Sequence, residues 1–104
     1  EGILSIGVDS NQNYLHPGKV LTSMLKRVDN AVYDAMSDGP GMEKGFNVMG
    51  VGNNGIGYAM DDNNKDLVTP EMKAAVDDAA AKITDGSLEV HDYMADDSCP
   101  NLSF

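Results

Sequence analysis

Two side chains in the sequence have the chemistry to hold a polar ligand, and Asp9 is the first. It directly follows an apolar run at residues 3–8 that is typical of a strand covered on both faces. Ligands of open α/β sheets bind at the carboxyl ends of such strands. A carboxylate at this place can accept hydrogen bonds from both hydroxyls of a vicinal diol. A turn-forming aspartate that bonds to its own backbone is an equally good interpretation of the spacing.

Lys26 is the second candidate, because its ammonium group could donate hydrogen bonds to the same ligand. It stands between Leu25 and Val28, within or beside an apolar stripe, and Arg27 is its neighbour. By spacing alone, a solvated cation on the flank of a helix is the commoner interpretation. Asp9 and Lys26 are therefore the candidate ligand-binding residues, and a purely structural role stays open for each.

A glycine motif, Gly50-x-Gly52-x-x-Gly55, follows an apolar run and has the spacing of a dinucleotide-binding loop. In that fold a helix starts directly after the glycines and aims its amides at pyrophosphate. Here residues 56–60 have strand-like composition, and no helix cap occurs before Thr69. We therefore predict a glycine-rich hairpin, with Asn54-Gly55 in a type I′ turn. A nucleotide-using α/β enzyme is kept as the alternative function.

The polar segment after this motif has part of a calcium-binding pattern. Asp62, Asn64 and Asp66 alternate like the first three ligands of an EF-hand loop. That loop also needs glycine at its sixth position and glutamate at its twelfth, where this chain has Leu67 and Lys73. The sequence therefore predicts a solvated loop and no metal site.

Cys99 is the only cysteine, so no disulfide can form within the chain. An inert thiol is the predicted role, because nothing in the sequence places His91 as a base for it. The sequence contains neither a nucleophile–base pair nor a metal cluster. We therefore expect a binding protein that performs no covalent chemistry and has no cofactor.

The charge balance excludes nucleic acid as a partner. The chain of 104 residues carries a formal net charge of −10, and its seven basic residues form no patch. A phosphate backbone or an anionic lipid surface would repel it. No stretch reaches the roughly 20 apolar residues of a membrane span. The chain opens on Glu1 and enters an apolar run at once, which we interpret as a position inside a longer protein.

Strands and helices alternate along the predicted chain, which is typical of α/β architecture. Strands are predicted at residues 3–8 and 46–51, with weaker ones at 57–60 and 87–90. A helix is predicted near residues 24–38, because apolar residues recur at three- and four-residue spacing and Gly39-Pro40-Gly41 ends the pattern. Residues 20–22 could instead form a short extended segment before this helix.

The helix at residues 70–85 has the clearest local signals. Thr69 is a good N-cap, Pro70 suits the first helical position, and Gly86 closes the carboxyl end. An acidic tail follows and ends at Phe104. Two helices and three or four short strands cover a sheet poorly, so the number of elements indicates part of a larger fold.

Five segments, taken in order, carry a resemblance that runs over essentially the whole chain. They are IGVDSNQ at 6–12, VLTSMLKRVD with AVYD at 20–34, GIGYA at 55–59, LVTPEMK at 67–73 and VHDYM at 90–94. Together they resemble the basic-membrane-lipoprotein, or purine-nucleoside-receptor-like, family of solute-binding proteins. The first segment is similar to the family's IGVDxDQ. Asn11 departs from it, which removes a charge beside the site and leaves Asp9 in place.

The resemblance implies a type I periplasmic-binding-protein fold, in which two α/β lobes joined by crossing strands hold a ligand between them. Residues 1–104 would be the C-terminal portion of that fold, with parts of both lobes. A lobe crossing would lie near residues 20–23, which favours the extended interpretation there. Asp9 would match a family carboxylate on the ribose hydroxyls, and Lys26 a lysine that reaches the same sugar.

The resemblance also implies partners and a location. Most characterised relatives bind nucleosides outside the cytoplasm and deliver them to the permease subunits of an ABC transporter. The expected location is the periplasm or the cell surface, with membrane attachment only through an N-terminal lipid anchor on the part of the parent outside this chain. The residues that stack on the base would also lie upstream.

Overall fold

A three-stranded mixed sheet forms the centre of the fold in the computed structural model, which describes residues 2–100. Strand β1 is parallel to β2, and β2 is antiparallel to β3, so β2 is the central strand. The elements are β1 (Ser5–Gly7), β2 (Val20–Lys26), α1 (Val28–Asp38), β3 (Ile56–Tyr58), α2 (Pro70–Asp85) and α3 (Tyr93–Asp96). Single turns of 3-10 helix occur at Asn13–Leu15 and Gly39–Gly41. The predicted α/β class is confirmed, whereas our predictions for Glu1 and the end of the tail lie outside the described residues.

The parallel pairing of β1 and β2 brings their carboxyl ends to one edge of the sheet. Ser5 is aligned with Val20, and Gly7 with Ser23. A Cβ atom on Gly7 would lie 2.5 Å from Ser23 Oγ, so glycine is needed for this close approach. The loop that follows β1 therefore starts beside the last residues of β2.

The predicted helix start was wrong. Residues 20–26 form strand β2, and α1 begins at Val28 and ends at Asp38. The apolar pattern from Leu21 onward fits a helix, but β2 has hydrogen-bonded neighbours on both edges, and this pairing decides the conformation. The extended interpretation of residues 20–23 is thus confirmed, and the predicted end of α1 at Gly39-Pro40-Gly41 is also correct.

Two predicted strands are not formed. Residues 46–50 have no regular structure, and Phe46 and Val48 are 105% and 88% exposed. Residues 87–90 are likewise unpaired. An apolar run becomes a strand only where another strand satisfies its backbone groups, and no described strand lies beside either run. Strand β3 confirms the weaker prediction at 57–60, shifted to 56–58.

Helix α2 matches its prediction residue for residue. Thr69 Oγ1 accepts a hydrogen bond from Met72 N at 3.2 Å, and Gly86 has the left-handed φ of 84° that suits a helix end. The hydroxyl of Tyr58 donates to Asp77 Oδ1 at 2.7 Å and ties α2 to β3. This bond to a carboxylate raises the pKa of Tyr58.

The centre of the molecule is more polar than apolar. Among the residues whose burial the structure describes, Val20 and Ala59 are the buried hydrophobic ones, while Asn13, Ser23 and Asn64 are completely buried. Buried polar groups must find hydrogen-bond partners, and these three do so around β2. Among the described helices, none is long and apolar enough to cross a membrane.

Candidate functional site

The structure brings the two predicted ligand-binding residues together. Lys26 is the last residue of β2, and its Nζ lies 2.8 Å from Asp9 Oδ1. The backbone N–H of Lys26 also donates to Asp9 O at 2.8 Å. The pair therefore lies at the edge where β1 and β2 both end, which is the expected place for a ligand in an open α/β sheet.

The structure differs from both structural alternatives in local detail. Lys26 lies in a strand rather than on a helix flank, although it is still a solvated cation at 59% exposure. Among residues 2–100, the carboxylate of Asp9 bonds to Lys26 and not to its own backbone. An exposed ion pair is the structural role that stays open for both residues.

Asp9 has an unusual backbone conformation. Its φ of 75° is in the left-handed region, which residues other than glycine seldom adopt and which aspartate tolerates better than most. Such conformations persist where the surrounding structure imposes them, and they cluster at binding and active sites. The conformation of Asp9 is therefore a second feature of this edge that is typical of a site.

The pair lies in an open depression of about 570 Å³ that Ser10, Val28 and Asp29 also line. The side chains of Lys26 and Asp9 are 59% and 65% exposed. Sequence reasoning missed Asp29, because the predicted helix began at residue 24, whereas α1 begins at 28 and places Asp29 in its first turn. A correct prediction of where α1 begins would have identified Asp29 as a candidate.

The charges of this depression favour a neutral ligand with several hydroxyls. Two carboxylates, Asp9 and Asp29, accompany the single ammonium group of Lys26, so an anionic ligand would be repelled. Carboxylate oxygens accept hydrogen bonds from hydroxyls, and the ammonium group donates to a hydroxyl oxygen. An exposed ion pair contributes little stability, so a ligand can insert between its members at small cost.

A network of buried polar residues joins β2 to the loop after β1 and to the segment after β3, and sequence reasoning missed it. Ser23 Oγ donates to Asn13 Oδ1 at 2.7 Å, and Gln12 N donates to Ser23 Oγ at 3.0 Å. Asn64 Nδ2 donates to the carbonyls of Leu21 and Ala59 at 2.8 and 3.0 Å. The predicted solvated loop is therefore wrong at Asn64, which lies in a polar segment and gives no sequence signal of burial.

Asp61 connects the segment after β3 to the loop that carries Asp9. Its Oδ2 accepts from Asn11 Nδ2 at 2.7 Å and from Asn13 Nδ2 at 3.2 Å, and its Oδ1 accepts from Asn63 N at 2.8 Å. These donors, Asn11 most of all, lower the pKa of Asp61. Any stability from this shift is present above the ordinary aspartate pKa and is lost as the pH falls through the lowered value.

The glycine motif lacks dinucleotide-binding geometry. Residues 51–54 form a turn, Gly55 N donates to Gly50 O at 2.9 Å, and β3 follows directly in place of the required helix. The type I′ turn is also wrong, because Asn54 has a φ of 58° whereas Gly55 is not left-handed. Gly55 is buried and accepts from Arg27 N, so the turn packs beside the start of α1.

His91, Asp96 and Ser98 lie together in the tail but do not form a relay. His91 Nε2 lies 3.0 Å from Asp96 Oδ1 and 3.4 Å from Ser98 Oγ. A histidine that activates a serine uses one ring nitrogen for the serine and the other for the carboxylate. Here both partners share one nitrogen, so the cluster closes a turn. Cys99 is exposed and forms no disulfide within the described residues.

Comparisons with known proteins give no family for the chain. A scan against protein-family models found no match, and a search of curated proteins found none either. Within residues 2–100, no group of three or more histidine, cysteine or acidic side chains could hold a metal ion. The Asp9–Lys26 pair, where β1 and β2 end, is therefore the main structural indication of a function.

Proposed function

We propose that this chain is the C-terminal portion of an extracytoplasmic solute-binding protein of the basic-membrane-lipoprotein type. It would bind a nucleoside in a cleft between two lobes and deliver it to an ABC permease, with no covalent chemistry. The main support is the 2.8 Å pair of Asp9 and Lys26 at the carboxyl edge of the parallel strands. The sequence resemblance supplies the identity of the ligand class.

The pair has the chemistry to hold a ribose. The two oxygens of Asp9 can accept hydrogen bonds from the 2′- and 3′-hydroxyls, and Lys26 can donate to one of the hydroxyl oxygens. Hydrogen bonds to charged groups contribute about 1.5–3 kcal/mol each. A neutral sugar also suits the excess of carboxylates that Asp29 gives to the depression.

The openness of the depression supports the two-lobe part of the proposal. More than half of each side chain in the pair is exposed, so a ligand held here alone would stay in water. Exposed hydrogen bonds contribute only about 1 kcal/mol each, while association costs at least about 4 kcal/mol of translational and rotational freedom. A second surface over the base is therefore needed for tight binding.

The proposal is tested by calorimetric titration of the complete protein that contains this segment, with adenosine, guanosine, inosine and uridine. Asp9→Asn is the informative variant, because asparagine tolerates the left-handed φ and only the charge is lost. We expect its affinity to fall by roughly tenfold to a hundredfold. Lys26→Met should weaken binding less, because one ammonium contact is lost.

The chain offers a matched control for both substitutions. Lys65 and Asp62 form another exposed ion pair, 2.9 Å apart, and neither residue lines the depression that holds Asp9 and Lys26. Asp62→Asn and Lys65→Met should leave affinity unchanged. A 2′,3′-dideoxynucleoside should bind wild type and Asp9→Asn alike, since it lacks the hydroxyls. The proposal fails if Asp9→Asn binds every nucleoside as tightly as wild type.

The 104-residue chain by itself should bind nucleosides no better than millimolar. It retains the sugar contacts, but the surface that would cover the base is expected upstream. Titration of the chain with the same four nucleosides, followed by NMR chemical shifts, checks this. Micromolar binding would mean that the site is complete within these residues, and the two-lobe part of the proposal would then be abandoned.

A further inference from the structure

Residues 9–13, here called the site loop, are held by contacts that come from far along the chain. Asn11 and Asn13 both donate side-chain hydrogen bonds to one carboxylate oxygen of Asp61, at 2.7 and 3.2 Å. The carboxylate accepts two bonds from the loop at once, so it fixes two points of the loop rather than one. Asp9, at the start of the same loop, bonds to Lys26 through its carbonyl and its carboxylate, but its side chain is 65% exposed.

Asp61 is itself firmly placed. Its backbone N–H donates to Asn64 Oδ1 at 2.9 Å. Asn64 is completely buried and donates to the carbonyls of Leu21, in β2, and Ala59. The position of the Asp61 carboxylate is therefore fixed relative to β2. This strand ends in Lys26, the other member of the candidate site.

A second connection joins the site loop to β2 directly. Asn13 is completely buried, and its Oδ1 accepts from Ser23 Oγ, which in turn accepts from Gln12 N. Ser23 precedes Lys26 in the same strand. Asp61 bonds to the amide nitrogen of Asn13 and Ser23 to its amide oxygen, so this side chain holds the loop that starts at Asp9 from both ends.

We propose that Asp61 is a positioning residue, which holds the site loop so that Asp9 stays beside Lys26 in its left-handed conformation. It touches no ligand. It acts by keeping the two sugar-binding groups at fixed separation before the ligand arrives, which removes an ordering cost from binding. The ligand part of this inference rests on the proposed function, but the ordering of the loop does not.

The first experiment measures loop order in the chain as it stands, by amide hydrogen exchange. Asp61→Asn leaves one oxygen for three donors, Asn11 Nδ2, Asn13 Nδ2 and Asn63 N, so its amide nitrogen must face at least one of them, and the loss of charge weakens the bonds that remain. We expect the amides of Gln12 and Asn13 to exchange tenfold faster or more. Asp62→Asn is the matched control, because that neighbouring carboxylate is 92% exposed and bonds to Lys65. Amides of α2 report whether the whole chain is affected.

A swap of the donor and acceptor residues at positions 11 and 61 distinguishes positioning from a general loss of stability. Asn11→Asp alone would put two carboxylates within hydrogen-bond distance and should also loosen the loop. Combined with Asp61→Asn, it lets the new amide nitrogen at position 61 donate to the new carboxylate at position 11. The Asn13 amide can then turn over, so that its oxygen accepts from the same nitrogen and its nitrogen donates to Ser23 Oγ. We expect the double variant to recover most of the slow exchange at Gln12. Single variants that exchange like wild type, or a double variant no better than its parents, would overturn the inference.

The second experiment separates this inference from the proposed function. In the complete protein, Asp61→Asn should weaken nucleoside binding by about tenfold, and the double variant should recover it, while Asp62→Asn binds like wild type. If no nucleoside binds the wild type, the proposed function fails and the exchange data still decide the role of Asp61. If Asp9→Asn weakens binding and Asp61→Asn does not, the proposed function stands and the positioning role is rejected.

Discussion

The region around β2 and the helices of this protein are stabilised in opposite ways. Around β2, three polar residues are completely buried and every described buried side-chain polar atom has a hydrogen-bond partner. Helices α1 and α2 contain no buried residue at all. On α1, Tyr33 and Met36 are 73% and 77% exposed, although both are large and apolar.

The difference shows which interactions are complete within the chain and which are not. Hydrogen bonds are directional and act between a few groups, so the network from Asn64 to Asn13 needs nothing beyond these residues. Apolar burial needs a second surface. The apolar side of α2 faces β3 across an open groove of about 350 Å³, and α1 leaves its apolar side chains in water.

The accessible surface area and the radius of gyration agree with the poor burial of the helices. The accessible surface is 8281 Å², whereas a folded monomer of 11.1 kDa has about 5,700 Å². The radius of gyration is 16.4 Å, against about 13 Å for a compact domain of this length. The excess surface fits the proposal that the rest of a two-lobe protein covers the helices.

The largest effect on stability is expected at Asn64, in the region around β2. Asn64→Ala would remove the hydrogen bonds to the Leu21 carbonyl and from the N–H of Asp61, and would leave the Ala59 carbonyl with Thr22 Oγ1. Each unsatisfied buried group costs about 1–3 kcal/mol, so the free energy of unfolding should fall by about 3 kcal/mol. Urea unfolding followed by circular dichroism measures it.

Asn30→Ala is the matched control for Asn64→Ala. Asn30 donates one exposed hydrogen bond, to Asn54 O at 3.2 Å, so its removal should cost about 0.5 kcal/mol or less. Equal effects of the two substitutions would contradict the contrast between the regions.

A smaller and local effect is expected at the start of α2. Thr69→Ala removes the N-cap bond to Met72, which typically contributes about 1 kcal/mol to helix stability. Because α2 has no buried residue, we expect the loss to appear in α2 and not in the sheet. Amide exchange should therefore become faster over residues 71–75 while β2 is unchanged. Faster exchange in β2 would show that helix and sheet unfold together.

The smallest effect is expected on the exposed face of α1. Met36→Lys in the 104-residue chain should change the free energy of unfolding by about 0.5 kcal/mol or less, because the side chain is already in water. In the complete protein the same substitution should cost about 2 kcal/mol or more if a second surface covers this face. Equal, small effects in both would mean that the face is exposed there too.

Sequence alone was sufficient where the determining interactions are local. Helix α2 was predicted at its correct bounds because Thr69, Pro70 and Gly86 each act within one turn of the helix end. The end of α1 at Gly39-Pro40-Gly41 is local in the same sense. Asp9 could be named as a candidate because residue type and a position after an apolar run are also local properties, whereas the role of Lys26 was implied by the family resemblance.

Tertiary structure decided everything that depends on a partner distant in sequence. Residues 20–26 have a helix-like pattern but form a strand, because β1 and β3 supply hydrogen bonds on both sides. Residues 46–50 have a strand-like pattern, but no described strand lies beside them. The meeting of Asp9 with Lys26 follows from the parallel register, and the burial of Asn64 follows from two carbonyls that approach it. Residue types set which groups can bond, but only the fold sets which of them come within reach.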